Sequence, residues 1–329
     1  MCTDQPRCHV SIGPLDKLND ETALGDVSSK MSQRSPSIGF NLMYLLSFIP
    51  KNLVSFGTGL LVRIKFPKIL QTYINFWFVK LFGIDMTEAA RPLAEFACLE
   101  DLFIRELKVN SRKISGRYVS SADGRVEMSR SIAGDGAIQA KGLTYQLSEL
   151  IFGLRADQLS QSSELAAAWY TTVYLAPNNY HRVHAPFSGT LRRLRHIPGE
   201  LWPVNRMAVA LVPRLFVRNE RLVFEFELEQ GAKAWLVMVG ALNVGRMSTP
   251  LCPGFVTNSF GRLLSAKGSA RELLTPNAGV AVAAGDELGI FMLGSTTVVV
   301  LDGKAASLLN PREILVPEPV TMGQSLSVQ

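Results

Sequence analysis

Leu222-Val-Phe-Glu-Phe-Glu-Leu-Glu229 sets Phe224, Phe226 and Leu228 against Glu225, Glu227 and Glu229 in strict alternation. A period of two sends the apolar side chains to one face and the carboxylates to the other, the pattern of an antiparallel strand covered on one side only. Outward from this stretch, residues 171–175, 235–239, 288–293 and 297–301 are short runs rich in β-branched or aromatic residues and are predicted as further strands. Gly124, Gly189, Gly199, Gly231, Gly240, Gly245 and Gly285 fall between such runs, as tight turns require. Amphipathic helical patterns do not alternate with the strands, which argues for an α+β protein with a β-rich antiparallel domain and against a parallel α/β sheet.

The chain N-terminal to this domain has a different character. Residues 86–108 repeat apolar side chains every three or four positions and are predicted to be helical. From Pro36 to Ile84 there is no Asp or Glu, and Lys51, Arg63, Lys65, Lys68 and Lys80 stand among Phe40, Phe48, Leu60, Phe76, Trp77 and Phe78. Five of the net six positive charges of the 329 residues are therefore held in one apolar, aromatic segment. Such a segment suits an anionic membrane surface; nucleic acid has no use for this much aliphatic surface. Pro36, Asn41, Pro50 and the cations interrupt every apolar run short of the ~18 residues a membrane span needs, so amphipathic helices lying in the interface are expected.

Residues 1–35 are a polar extension whose acidic residues and late apolar stretch match neither a cleavable signal nor an organellar presequence. Cys2, Cys8, Cys98 and Cys252 show no metal-ligand or disulfide spacing, so free thiols in a reducing compartment and no metal site are expected. An apolar content of 47% with 19% charged residues excludes a disordered polymer.

Three short motifs carry reactive groups. Gly294-Ser295-Thr296 lies between two apolar strand-like runs; taken alone it reads as a hairpin turn. Tyr180-His181-Arg182-Val183-His184 holds two of the four histidines, which a strand would point apart and a turn would turn toward one cavity. Ser121-Ala-Asp-Gly124 presents Asp123 at a turn, where an acid is ordinarily solvated. Together they supply a hydroxyl, an imidazole base and a carboxylate to orient the base. There is no nucleophile elbow, phosphate-binding loop, zinc-protease helix or dinucleotide fingerprint.

These three motifs, in this chain order, resemble the signature motifs of the phosphatidylserine decarboxylases. Supporting segments agree, among them Phe103-Ile-Arg105, Ala140-Lys-Gly-Leu-Thr-Tyr145, Pro198-Gly-Glu-Leu201 and Asn219-Glu-Arg221, and the resemblance runs from about Phe40 to the C-terminus. Two departures are Asn179, where an Asp often precedes the Tyr-His-Arg run, and Ser121, where a Pro is common. Composition and resemblance together divide the chain into a polar extension over 1–35 that lies outside the resemblance, a membrane-associated helical region over 36–95 and a decarboxylase domain over 96–329.

It further implies a proenzyme that cuts itself between Gly294 and Ser295 into large and small chains and turns Ser295 into a covalent pyruvoyl group. Asp123, His184 and Ser295 are implied as the processing triad. His181 is implied as the proton donor once the pyruvoyl carbonyl has formed a Schiff base with the amine of phosphatidylserine and CO2 has left. The substrate then comes from the bilayer, the enzyme sits peripherally on the cytoplasmic face of the cell membrane, and a homodimer is implied. Two other classes compete: a lipid-binding protein that has lost processing, and a conventional serine hydrolase built on the same three residues.

Overall fold

A computed structural model describes residues 48–132, 136–140, 143–153, 165, 168–242, 246–259, 270–292 and 295–328. The extension expected over residues 1–35 and Gly294 lie outside the described residues.

The alternating segment forms a strand at Arg221–Glu227, and its neighbours complete an α+β fold in which every described strand pairing is antiparallel. In chain order the strands are β1 Gly124–Ser131, β2 Gly136–Ala140, β3 Leu143–Gln146, β4 Trp169–Tyr174, β5 Arg182–His184, β6 Gly189–Ile197 and β7 Arg221–Glu227. They continue with β8 Lys233–Val239, β9 Met247–Ser248, β10 Arg271–Leu274, β11 Val280–Val282, β12 Glu287–Phe291, β13 Thr296–Leu301 and β14 Glu318–Val320. The main sheet runs β10-β6-β7-β8-β13-β4-β1-β14, with β11 also on β6; β5-β12-β9 form a second sheet and β2-β3 a hairpin.

Thr-Thr-Val-Val-Val-Leu of β13 is buried along its whole length and bonded on both edges, to β4 and β8. β12 and β13 belong to different sheets, so the link from Phe291 to Thr296 is a crossover and not the hairpin turn its three letters suggest. The strands at 124–131 and 189–197 carry too many charges to be visible as apolar runs. Their arginines pair with acids on the sheet, as Arg195 does with Glu225 at 2.5 Å and Arg192 with Glu227 at 3.0 Å.

The helices are α1 Lys51–Leu61, α2 Lys68–Phe82, α3 Leu99–Phe103, α4 Leu147–Phe152, α5 Arg206–Leu211, α6 Leu215–Arg218 and α7 Gly303–Leu309. The long helix expected over 86–108 is absent: only a 3-10 turn at Leu93–Glu95 and α3 form there. Pro92 removes a donor from the middle of that run, and the Asp85 and Asp101 side chains take the main-chain N–H groups of Thr87 and Ala97, so local turns win over helix.

α1 and α2 are inverted relative to helices of a water-soluble core. Their buried positions are Lys51, Ser55 and Gly59, and Gln71 and Asn75, each set spaced by four. Their exposed positions include Leu61, Tyr73, Trp77, Leu81 at 78% and Ile69 at 89%. The polar stripe is satisfied internally: Asn75 Nδ2 donates to Phe96 O at 3.0 Å, Gln71 Nε2 to Asn75 Oδ1 at 2.8 Å and Asn52 Nδ2 to Gly199 O at 3.2 Å. At Gly59 a Cβ would come within 3.1 Å of Arg246 Cδ, so its absence permits the close approach. Lys51 departs from the lipid-facing set its charge suggested, because it is buried over the Trp202 ring with Nζ 3.6 Å from Glu200. Among the described residues no helix is long and apolar enough to cross a membrane.

Candidate active site

Ser295 is fully buried immediately before β13. Its Oγ donates to Val239 O at the end of β8, and its own carbonyl accepts from Leu175 N–H, just past β4, at 2.8 Å. The residue is thus clamped between the two strands that flank β13, where a long apolar strand must begin and where no water competes for its hydrogen bonds.

His184 ends β5. Its Nδ1 bonds Gly285 O at 2.8 Å, and its Nε2 bonds Tyr180 Oη at 3.0 Å while the two rings stack. A carbonyl only accepts, so the proton is on Nδ1 and Nε2 is a lone pair that receives the phenol O–H. Burial depresses the imidazole below its ordinary range and raises the Tyr180 phenol, so the neutral pair is the stable one. The main chain ties His184 to the Asp motif: His184 N–H donates to Ser121 O at 2.8 Å. Ser121 Oγ in turn lies 3.1 Å from Thr297 Oγ1, two residues after Ser295.

Asp123 is buried, not solvated. Arg112 grips it with two bonds, Nε to Oδ1 at 3.0 Å and Nη2 to Oδ2 at 2.5 Å, and also reaches Glu88 at 2.7 Å. Met322 N–H adds a third bond to Oδ1 at 2.8 Å, and these hydrogen bonds hold the Arg112 guanidinium firmly protonated. Gly124 is required beside it, because a Cβ there would stand 2.2 Å from Tyr174 O.

His181 is buried against Phe103, ring centroids 4.0 Å apart. Its Nδ1–H donates to Asn179 O at 2.8 Å, and Nε2 is left as a buried lone pair without a partner among the described residues. Burial, reinforced by the nearby Arg105 charge, lowers its pKa to about 3, so the ring is neutral at physiological pH. Asn179 Oδ1 accepts from Ala176 N–H at 2.7 Å, a task an Asp would perform equally, which explains why that departure from the family pattern is harmless.

An apolar cavity of about 400 Å³ reaches this region. Val62, Phe78 and Phe82 of the N-terminal helical region line one side; Phe103, Leu175 and Pro177 line the other. Leu175 is the residue bonded to Ser295, and Phe103 is the one stacked on His181. Its size and lining suit the apolar part of a ligand.

The structure therefore gathers the strand ends carrying Ser295, His184 and Asp123 into one hydrogen-bonded neighbourhood. Among the described residues their side chains do not bond one another: Ser295 bonds Val239, His184 bonds Tyr180 and Gly285, and Asp123 bonds Arg112 and Met322. Arg112 and the Tyr180 hydroxyl are partners that the sequence did not single out. Arg112 sits in a coil beside Lys113, where nothing in the spacing distinguishes it from a solvated cation.

The sequence that builds this site has counterparts among known proteins. Residues 99–327 match the family model described as phosphatidylserine decarboxylase. The chain is 39% identical over 277 residues to the phosphatidylserine decarboxylase proenzyme of Alcanivorax borkumensis, covering 80% of this chain and 87% of that one. It is 34% identical to the proenzyme of the same name from Hahella chejuensis, covering 87% and 94%, and 37% identical to that of Psychrobacter arcticus, covering 86% and 96%. The chain belongs to the phosphatidylserine decarboxylase family and is a decarboxylase, a carboxy-lyase.

Proposed function

We propose that this chain is a self-processing, pyruvoyl-dependent proenzyme that converts phosphatidylserine into phosphatidylethanolamine and CO2 at the cytoplasmic face of the cell membrane. The observation that carries the reading is the clamp on Ser295: a buried serine at the head of the central strand, its carbonyl held by the N–H of Leu175, a residue that lines the apolar cavity. Ser295 Oγ attacks the Gly294 carbonyl and replaces the amide by an ester. β-Elimination then frees the large chain and leaves dehydroalanine, which hydrolyses to the pyruvoyl group and ammonia. His184 takes the hydroxyl proton at Nε2 once Tyr180 O–H gives way, and Asp123 supports the resulting cation through its charge.

The clamp suits the group formed from Ser295, because the Leu175 bond is to the residue's own carbonyl and does not involve the hydroxyl that is lost. That group supplies an electrophilic carbonyl and a sink for the electrons left by CO2. His181 moves a proton at its open Nε2, and Phe103 keeps water from that atom. Residues 36–95 form the membrane-associated region ahead of the decarboxylase domain at 96–329. The outward apolar faces of α1 and α2, with exposed Lys65, Lys68 and Lys80, support this reading, since a lipid surface would cover those faces and the same helical region supplies Val62, Phe78 and Phe82 to the cavity.

The test is the purified protein on a denaturing gel and in a mass spectrometer. A 35-residue fragment, 295–329, with a blocked end that reacts with hydrazine is expected, together with CO2 release from phosphatidylserine. Under native conditions the two chains stay together, because β13 is hydrogen-bonded along both edges within the large chain's sheet. An uncut chain that decarboxylates, or a small chain beginning with free serine, overturns the pyruvoyl mechanism.

A further inference from the structure

Arg105 is 97% buried, and its position is set by one end of its guanidinium: Nη2 donates to Asn178 O at 3.2 Å and to Asn179 O at 3.4 Å. The other two donor atoms, Nε and Nη1, are buried and have no hydrogen-bond partner among the described residues. A buried guanidinium with unmet N–H groups is costly to keep and is rare in folded proteins. His181 Nδ1 donates to the same Asn179 carbonyl, and its Nε2 is also unmet. One carbonyl thus fixes two neighbouring side chains, one with spare donors and a positive charge, the other with a spare acceptor.

Both stand directly behind the wall of the apolar cavity, where Phe103 lies on His181 and Pro177 precedes Asn178. The main chain ties His181 to the segment that processing cuts: Phe291 N–H bonds His181 O at 3.0 Å, three residues before the proposed scissile bond.

We propose that Arg105 is the anchor for the phosphodiester of the lipid headgroup, taking its non-bridging oxygens on Nε and Nη1 while the neighbouring His181 Nε2 faces the reacting serine moiety. The proposal rests on the decarboxylase reading above. A guanidinium fork matches a phosphate oxygen pair and stays charged in a buried site. The alternative anion in the headgroup is the carboxylate. A cation bound there would stabilise the charge that must leave as neutral CO2, holding the ground state more tightly than the transition state. The phosphodiester keeps its charge throughout, so binding it costs the reaction nothing.

The experiment uses the full chain in nonionic detergent micelles containing phosphatidylserine, with Arg105→Gln and Arg105→Lys compared with the unaltered protein. Cleavage on a denaturing gel reports the underlying mechanism separately from the anchor. Cleaved Arg105→Gln is expected to raise KM at least ten-fold, by a larger factor than any loss in kcat, and to weaken inhibition by phosphatidylethanolamine of the same acyl chains by a similar factor. Arg105→Lys, which keeps the charge and loses the fork, is expected to shift both constants in the same direction by less. A KM that rises while product inhibition is unchanged assigns Arg105 to the carboxylate and overturns the proposal. A cleaved variant in which only kcat falls gives Arg105 a merely structural role and also overturns it. Were Arg105→Gln left uncut, a cleaved Arg105→Lys with both constants unaltered would be equally decisive against it.

Discussion

Both imidazoles of the candidate site donate from Nδ1 to a main-chain carbonyl, which leaves Nε2 as the lone pair, yet they differ in what meets that atom. His184 is capped by a phenol, whereas His181 is open. In the proposed mechanism this separates the two proton transfers. His184→Ala is expected to leave a full-length chain, and His181→Ala to be cut normally but lose on the order of 100-fold in CO2 release. Asp123 is better probed by Asn than by Ala. Asn keeps the Oδ1 acceptor for Met322 N–H, while Ala also removes both carboxylate bonds of Arg112 and leaves Glu88 as its acid partner. Asp123→Asn is expected to fold and to process at least ~100-fold more slowly, read as the ratio of full-length to small chain over time. An Asp123→Asn protein cut at the normal rate would remove the carboxylate from the processing step.

At the level of elements, α1 and α2 would be unstable against water with Ile69 and Leu81 almost fully exposed, and their buried stripes of Lys51, Ser55 and Gly59 and of Gln71 and Asn75 show which side faces protein. The exposed side chains are expected to enter the lipid interface, each worth about 2 kcal/mol when buried. Ile69→Asp combined with Leu81→Asp should therefore shift most of the protein from vesicles containing anionic lipid into the supernatant in a flotation assay, with processing unaffected. Retention on vesicles would place the lipid contact elsewhere. The apolar, acid-free character of this region was legible in the sequence, and so was interfacial placement as an expectation. Which residues face lipid was not: a helix of mostly apolar residues gives no dominant direction, and the inward face is chosen by Asn75 reaching Phe96 O and Gly59 allowing Arg246 to approach. The failure at residues 86–108 has a related cause, since a period of three to four carries no information about Pro92 or about acids that cap turns.

For the whole molecule, two buried neutral imidazoles make the fold sensitive to acid. Between pH 6.5 and about 3 the unfolded chain binds a proton at His181 that the folded chain refuses, so falling pH favours unfolding across that window; the His184 shift has the same sign. The penalty from His181 approaches about 5 kcal/mol at the acid end. Urea midpoints measured from pH 7.5 to pH 4 are expected to fall, and His181→Gln, which cannot take up the proton, should flatten the profile. A profile equally steep in the variant would assign the acid sensitivity to other groups.

The sequence by itself determined the α+β class, the strand at residues 221–227 and the three motifs, because alternation and short reactive signatures are local properties that survive without neighbours. Family membership followed from the same letters read in order. Only the tertiary structure decided that the strands before and after Ser295 belong to two different sheets, that Lys51 is buried, that Arg112 and not His184 grips Asp123, and that Arg105, beside His181, holds two donors unmet among the described residues. Each of these is a relation between residues distant along the chain, or between a side chain and its solvent access, and such relations exist only once the strands have been paired and the core has closed around them.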